Sequence, residues 1–315
     1  MRIVFIGTGE IGVPTLQSLL ASTEHELLGV VTQPDKPAGR SQKLTAPAIK
    51  LALVGAHVPI SQPARIKSSE AVTQIRAWQP DVIVVMAYGQ ILPSAVLEIP
   101  RIACLNLHAS LLPWHRGAAP IQAAIIEGDK ETGITVMYVD EGLDTGDILL
   151  QRRLEILPNE TGGSLHDRLA QLAPDPLREA LRLLVAGSAP RIPQNTAAAT
   201  HAPKLSREDG KIDWSEPVEL IERKIRAFNP WPGAFMLTDE ESARPSKLKI
   251  FRAAIVDGKV EPGKMIFADK RGPLVGAVGC ALLLQEVQLE GKQRMTGAEF
   301  AHGQRWIGRA AGDAK

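Results

Sequence analysis

The sequence predicts an α/β protein with a doubly wound, mostly parallel sheet, followed by a smaller β-barrel domain. Three observations support this prediction. The chain has 315 residues, more than the roughly 250–300 that a single hydrophobic core accommodates. Short β-branched runs alternate with helical stretches over the first 156 residues, which is typical of βαβ units. After a segment rich in Pro and Ala, short alternating runs are separated by Gly and Pro, which is typical of a small barrel.

Each predicted strand of the first domain is a short apolar run. The strand candidates are Ile3–Gly7, Leu28–Thr32, Val82–Met86, Ile102–His108 and Ile134–Asp140. Apolar residues at helical spacing predict helices at Val13–Leu20, Ala48–Val54, Ser69–Trp78 and Ile121–Glu127. A longer helical stretch, Ser164–Ala186, is interrupted by two prolines, and we expect it to close the domain.

The pattern changes near Ala189, which predicts a catalytic domain over 1–189, a linker over 190–206 and a barrel domain over 207–315. A capped helix from Ser215 to Phe228 is expected to open the barrel domain. Its strand candidates are Lys247–Val256, Gly263–Phe267, Leu274–Val278 and Ala281–Gln288. Residues 1–189 hold 16 Lys and Arg against 19 Asp and Glu, a net charge of −3, whereas residues 190–315 hold 20 against 16, a net charge of +4. The second domain is therefore the mildly basic one.

Composition excludes several classes of protein. A net charge of +1, with 23% charged and 44% hydrophobic residues, excludes a disordered chain and a strongly basic nucleic-acid coat. Only Cys104 and Cys280 occur, with no Cys/His cluster beside them, so neither a disulfide framework nor a metal site is expected. No apolar run approaches the ~20 residues of a membrane span. We therefore expect a soluble, cytoplasmic protein, and no feature demands more than a monomer.

A glycine-rich turn, Gly7–Gly12, follows the first strand and opens a helix, which is the context of a dinucleotide-binding fingerprint. A nicotinamide site also needs an acidic residue at the end of the second strand. That strand ends here at Thr32 and Gln33, and Asp35 lies beyond it. We therefore interpret the glycines as a tight turn, and a nicotinamide enzyme remains a weaker alternative.

Two polar residues, Asn106 and His108, are expected on one face of a strand because they stand two positions apart. Ligands of open α/β sheets bind beyond the carboxyl ends of the strands, and the segment Ser110–Gly117 follows directly. The next strand ends in a polar loop that can bring the Asp144 carboxylate alongside. Taken singly, His108 could be structural and Asp144 a turn residue. Together, without a Ser or Cys nucleophile beside them, they favour direct group transfer through a stabilised oxyanion.

Several motifs resemble those of the folate-dependent formyltransferases. They are Asn106-x-His108, Ser110–Pro113, Arg116-Gly117, Asp144-x-Gly146, Ala87-Tyr88-Gly89 and, in the second domain, Arg226–Gly233. The last motif is similar to that of members acting on methionyl initiator tRNA. The resemblance implies a Rossmann-like catalytic domain, an OB-like barrel that binds tRNA, 10-formyltetrahydrofolate as formyl donor and methionyl initiator tRNA as acceptor. Members acting on small amines such as amino-sugar nucleotides share the Asn, His and Asp core, so a small-amine acceptor is the alternative.

The resemblance also implies roles for individual residues. Asn106, His108 and Asp144 become the catalytic group. The residues expected to bind the folate are Ser110, Leu111, Leu112, Pro113, Tyr88, Gly89, Leu92 and Asp140. Those expected to contact tRNA are Lys36, Arg40 and Lys43, which lie in a loop punctuated by Pro and Gly after the second strand. By its charge alone, the favoured interpretation of this loop would be a solvated surface.

Overall fold

The computed structural model describes residues 1–38, 42–238 and 246–303. Its strands are β1 (Arg2–Gly7), β2 (Glu26–Val31), β3 (Lys36–Ala38), β4 (Lys43–Thr45), β5 (Ile60–Ser61), β6 (Val82–Met86), β7 (Ala103–His108), β8 (Arg116–Gly117), β9 (Glu131–Tyr138), β10 (Ile148–Glu155), β11 (His201–Ala202), β12 (Phe235–Thr238), β13 (Ser246–Val256), β14 (Met265–Asp269), β15 (Gly272–Gly276), β16 (Ala281–Leu289) and β17 (Met295–Thr296). Its helices are α1 (Val13–Leu20), α2 (Ala48–Leu51), α3 (Ser69–Ala77), α4 (Ser94–Leu97), α5 (Pro120–Glu127), α6 (Gly162–Leu172), α7 (Pro174–Val185), α8 (Val218–Ala227) and α9 (Gly297–Gly303).

The chain forms two compact units. The first comprises Met1–Pro120, Glu131–Glu155 and His166–Pro203. The second comprises Ile121–Lys130, Ile156–Leu165 and the described residues from Lys204 onward. Two short segments of the predicted first domain thus cluster with the second unit, and most of the predicted linker lies in the first.

The first unit is built on a seven-stranded sheet in the order β10-β9-β7-β6-β1-β2-β5. Its central strand β1 pairs in parallel with β2 on one side and β6 on the other, so the winding direction reverses there. The predicted mostly parallel, doubly wound sheet is confirmed. Strand β9 departs from the parallel pattern, because it is antiparallel to both β7 and β10. Strand β10 was not predicted from the sequence.

The core of the first unit lies against this sheet. Strands β1 and β6 are continuous apolar runs that are almost fully buried, as expected for strands covered on both faces. Val72 of α3 and Val96 of α4 pack with Val4, Ile83 and Cys104. Helix α1 packs against β2, and α7 packs against β9 and β10.

Helix ends follow local chemistry. Ser68 immediately precedes α3, and its side chain accepts a hydrogen bond from Ala71 N, as an N-cap residue does. The long helix predicted over Ser164–Ala186 is two helices, α6 and α7. Pro174 is the first residue of α7, where a proline fits because its missing N–H needs no helical partner.

The second unit carries a six-stranded antiparallel sheet in the order β12-β13-β16-β15-β14, with β17 also paired to β16. This sheet curls into a half-barrel, which confirms the predicted small barrel-like domain. Helix α8 buries Val218, Ile221 and Ile225, at the spacing of one helical face, and packs against β13. It begins at Val218, three residues later than predicted. The expected N-cap residue, Ser215, donates both its backbone N–H and its hydroxyl to the Asp213 carboxylate.

Within the three described ranges, no helix is long and apolar enough to cross a membrane. The same ranges contain no group of three or more His, Cys, Asp and Glu residues arranged to hold a metal ion.

Candidate active site

Asn106 and His108 lie on β7 at the carboxyl end of the sheet. His108 is buried and Asn106 is half-buried. Both side chains project from the same face because they stand two residues apart on a strand, while Leu105 and Leu107 are buried on the other face. Val85 of β6 is paired with Asn106, so the loop that follows β6 begins beside these two residues.

Asp144 reaches the same place through a loop that turns back. Since β9 is antiparallel to β7, its last residue, Tyr138, lies opposite Leu105, near the middle of β7 rather than beyond its end. The loop after β9 is closed where Tyr138 N donates to Asp147 O at 2.9 Å. Gly146 is required within it, because a Cβ there would overlap Tyr138 O. The carboxylate therefore reaches the site through loop geometry and not through a shared strand edge.

The three predicted catalytic side chains meet. Asn106 Nδ2 donates to Asp144 Oδ1 at 3.3 Å, and Asp144 Oδ2 lies 3.6 Å from His108 Nδ1. Gly117 N also donates to Asp144 Oδ2, at 2.9 Å. The His108 and Asp144 side chains are only 7% and 12% exposed, so water screens their interaction weakly. The structure thus places an amide, an imidazole and a carboxylate within contact distance of one another.

The hydrogen bonds of His108 determine which ring nitrogen faces Asp144. Nε2 lies 2.9 Å from the carbonyl oxygen of His115. A carbonyl only accepts, so Nε2 carries a proton. The second nitrogen, Nδ1, faces the Asp144 carboxylate.

Side chains of β9 and β10 fix the conformation of the predicted folate segment, Ser110–Pro113. Thr135 Oγ1 donates to Ser110 O at 2.6 Å and accepts from Leu112 N at 3.1 Å. Gln151 Nε2 donates to Leu112 O at 2.8 Å. Ser110, Leu111 and Leu112 are buried, Pro113 is half-buried, and the Leu112–Pro113 bond is cis. Thr135 and Gln151 were not identified from the sequence.

A second group of predicted folate residues follows β6. Tyr88 O accepts from Thr8 Oγ1 at 3.1 Å and from Gln33 Nε2 at 3.3 Å, which ties the glycine-rich turn to this loop. The Tyr88 ring is buried, and burial raises the pKa of its phenol to about 12. Leu92 is buried, whereas Gly89 is exposed with a φ of 84°. These residues lie at the strand reversal beside β1, where open α/β sheets bind ligands.

Asp140, the last predicted folate residue, is exposed and is held within its own loop. Its carboxylate accepts from Thr145 Oγ1 at 2.8 and 2.9 Å and from Gly142 N at 3.0 Å.

The predicted tRNA-contacting loop begins as a pair of short antiparallel strands. Lys36 on β3 and Lys43 on β4 are exposed, with Lys36 paired to Thr45. Arg40 lies outside the described residues. At the base of the loop, Lys50 Nζ donates to both Asp35 oxygens at 2.9 and 2.8 Å. Hydrogen bonds from Gln62 and Lys50 lower the pKa of Asp35.

Residues 1–181 match the formyl transferase family, and residues 204–305 match the formyl transferase C-terminal domain. A methionyl-tRNA formyltransferase of Geobacter sulfurreducens is 45% identical over 304 residues, which cover 96% of this chain and 94% of that one.

Two solved structures share the fold. WlaRD, described as a sugar 3N-formyl transferase in the presence of dTDP and 5-N-formyl-THF, is similar with a TM-score of 0.66 and 17% identity, covering 93% of this chain and 99% of that chain. HypX from Aquifex aeolicus, in complex with tetrahydrofolic acid, gives a TM-score of 0.63 and 18% identity over 98% of this chain. The chain spans about half of HypX, 48% of its length.

Proposed function

The chain belongs to the formyl transferase family, and we propose that it transfers the formyl group of 10-formyltetrahydrofolate to the α-amine of methionyl initiator tRNA. Within the family, it is similar to methionyl-tRNA formyltransferases over nearly its full length. The observation that carries the proposal is the contact of Asn106 and His108 with the Asp144 carboxylate at the carboxyl end of the sheet. The 45% identity with a methionyl-tRNA formyltransferase supports this acceptor.

In the proposed reaction, the neutral α-amine attacks the formyl carbon, and the bond from that carbon to folate N10 breaks after a tetrahedral intermediate. Asn106 Nδ2 has two N–H donors. One donates to Asp144, and the other is available for the developing oxyanion. His108 Nδ1, when it carries a proton, supplies the second donor. Two donors aimed at a developing charge in a poorly solvated site act as an oxyanion hole does.

The proton balance is simple. The ammonium formed on attack loses its proton to the Asp144 carboxylate, directly or through water, and folate N10 gains a proton as tetrahydrofolate leaves. An α-amino group titrates near pH 7.7–8.0, so a useful fraction is already neutral at pH 7. Positioning of the amine therefore contributes more than base strength.

The donor is proposed to lie between two chain segments. Ser110, Leu111, Leu112 and Pro113 form one side, and the loop after β6, with Tyr88, Gly89 and Leu92, forms the other. Asp140 offers an exposed carboxylate for the polar edge of the pterin. The rigid support of Ser110 and Leu112 by Thr135 favours a preformed donor site. We propose no metal in this reaction.

The acceptor is proposed to contact two basic regions. One is the loop with Lys36, Arg40 and Lys43. The other is the barrel domain over 207–315, which follows a catalytic domain over 1–189 and a linker over 190–206. Lysine and arginine on such surfaces position a nucleic-acid backbone, and the net charge of +4 after Ala189 has the matching sign. We propose that the protein acts as a monomer in the cytoplasm.

The proposal is tested by incubating the purified protein with 10-formyltetrahydrofolate and one of three acceptors: methionyl initiator tRNA, methionyl elongator tRNA or an amino-sugar nucleotide. Formylated product is measured in each. We expect product on the initiator alone. Product only on the sugar nucleotide would overturn the tRNA acceptor while keeping the roles of Asn106, His108 and Asp144. No product on any acceptor would overturn the reaction itself.

A further inference from the structure

Arg116 is a buried cation held by a neutral amide. It is 3% exposed, and its Nε and Nη2 both donate to Gln194 Oε1, at 3.0 and 2.7 Å. Gln194 belongs to the segment that the sequence predicts as a linker. A buried guanidinium needs acceptors for its donors, and Gln194 supplies one for the Nε and Nη2 groups of Arg116.

The other end of the same amide holds the loop that carries Asp144. Gln194 Nε2 donates to Asp144 O at 2.9 Å and to Gly146 O at 2.7 Å. The orientation of this amide is determined by its partners, because a guanidinium only donates and peptide carbonyls only accept. Gln194 therefore accepts on one side and donates on the other, and a carboxylate cannot do both.

These contacts close a ring around Asp144. The residue after Arg116 is Gly117, whose N–H donates to the Asp144 carboxylate. Asp144 is thus held at its side chain by Gly117 and at its main chain by Gln194. Its φ of 55° lies in the left-handed region, which costs free energy for a residue other than glycine and persists only where the surroundings impose it. The Gln194 hydrogen bonds supply such a restraint.

Gly117 itself is adapted to this arrangement. Its φ is 120°, and a Cβ would lie 2.5 Å from Ala202 O. The close approach of β8 to β11 brings the chain near Gln194 back against Arg116 and Gly117.

We propose that Gln194, buttressed by Arg116, is a positioning residue that fixes the backbone of Asp144 and so aims its carboxylate at His108 and the reacting amine. This inference rests on the proposed catalytic role of Asp144. It assigns a part in catalysis to a segment outside the strands and helices of the sheet. Gln194 acts through Asp144, so we expect its loss to lower kcat and to leave the KM for donor and acceptor nearly unchanged.

The sharpest test is Gln194→Glu. A glutamate keeps the shape of the side chain and an acceptor oxygen for Arg116, but it places a second acceptor, instead of the donor Nε2, against the Asp144 and Gly146 carbonyls. The matched control is Asn195→Asp, the same amide-to-acid change at the next residue, an exposed one. Asn195 Oδ1 only accepts a hydrogen bond from Ala197 N, which an aspartate also accepts. Gln194→Asn is the conservative second variant, because one methylene less keeps both polar ends but prevents simultaneous contact.

We expect Gln194→Glu to lower kcat about 10²-fold, the loss that a misplacement of roughly 1 Å produces. Both KM values should stay within about threefold of wild type, since the proposed binding residues lie elsewhere. Gln194→Asn should lower kcat about tenfold, and Asn195→Asp should match wild type. Thermal unfolding of each variant, measured in parallel, identifies those that fold.

Two results would overturn the inference: a folded Gln194→Glu with kcat within threefold of wild type, or a raised KM with unchanged kcat. If Gln194→Glu does not fold, Gln194→Asn decides by the same criterion, and a wild-type kcat in that variant would overturn the inference. If wild type formylates a small amine and not tRNA, the proposed acceptor fails, and the same comparison of kcat on that amine still decides the role of Gln194.

Discussion

Replacing Asp144 with asparagine removes one charge and keeps the shape of the side chain. In the wild type, Oδ1 accepts from Asn106 Nδ2, and Oδ2 accepts from Gly117 N. An asparagine has one acceptor oxygen and one NH2 group, so one of these two donors would face another donor. The variant also lacks the negative charge 3.6 Å from His108 Nδ1.

The size of the effect follows from the proposed role of Asp144 as proton acceptor. A positioned general acid–base group contributes about 10²–10⁴-fold to the rate. Without the carboxylate, the ammonium formed on attack loses this proton acceptor, and the hydrogen bonds from Asn106 and Gly117 can no longer both be kept.

We therefore expect Asp144→Asn to lower kcat about 10³-fold with little change in KM. The assay is steady-state formylation of methionyl initiator tRNA at saturating donor. Asp147→Asn is the matched control in the same loop, because Asp147 contacts Arg191 at 3.7 Å, is 35% exposed and should alter kcat less than about twofold. An Asp144→Asn variant that keeps more than about a tenth of the wild-type kcat would refute the assignment.

Three further predictions concern single residues. Asn106→Ala should lower kcat about 10²–10³-fold, because one oxyanion donor is lost, while tRNA binding measured by filter retention stays normal; near-normal turnover would contradict its role. Arg40→Ala should raise the KM for tRNA and reduce the salt dependence of binding by about one phosphate contact, and an altered affinity for folate would argue against this site. Hydrogen bonding from Arg2 N, aided by Arg101, lowers the pKa of Asp81. The stabilisation is thus present above about pH 4 and is lost as the pH falls through the folded-state pKa. Asp81→Asn should lower the unfolding temperature at pH 7 by about 2–4 °C, and a difference that persists unchanged at pH 2 would refute this origin.

The sequence pattern predicted those parts of the fold in which the type of each residue depends on whether that residue is buried. Strands β1 and β6 are unbroken apolar runs because both of their faces are covered, and their bounds were predicted within one or two residues. The juxtaposition of Asn106 and His108 followed from the two-residue period of a strand. Neither depends on which distant segment lies next to them.

The direction of β9 could not be read in this way. An apolar strand has the same pattern whether it pairs parallel or antiparallel, and the sheet order is decided by contacts between distant segments. The sequence therefore predicted that the polar loop after this strand brings Asp144 alongside Asn106 and His108, but not the path that the loop takes. The antiparallel pairing places Tyr138 opposite Leu105, and the loop must return through Gly146 to bring the carboxylate to the site.

Gln194 was not identified for a related reason. Its partners on the Asp144 loop are main-chain carbonyls, which every residue possesses, so no pairing of side-chain types along the sequence indicates the contact. Arg116 stood in a recognised motif, but its buried charge became informative only once the structure showed that a neutral amide receives it. Buried donors and carbonyls need hydrogen-bond partners. In this protein, Gln194, in the segment predicted as a linker, is the partner both of the buried Arg116 guanidinium and of the carbonyls of the loop that carries Asp144.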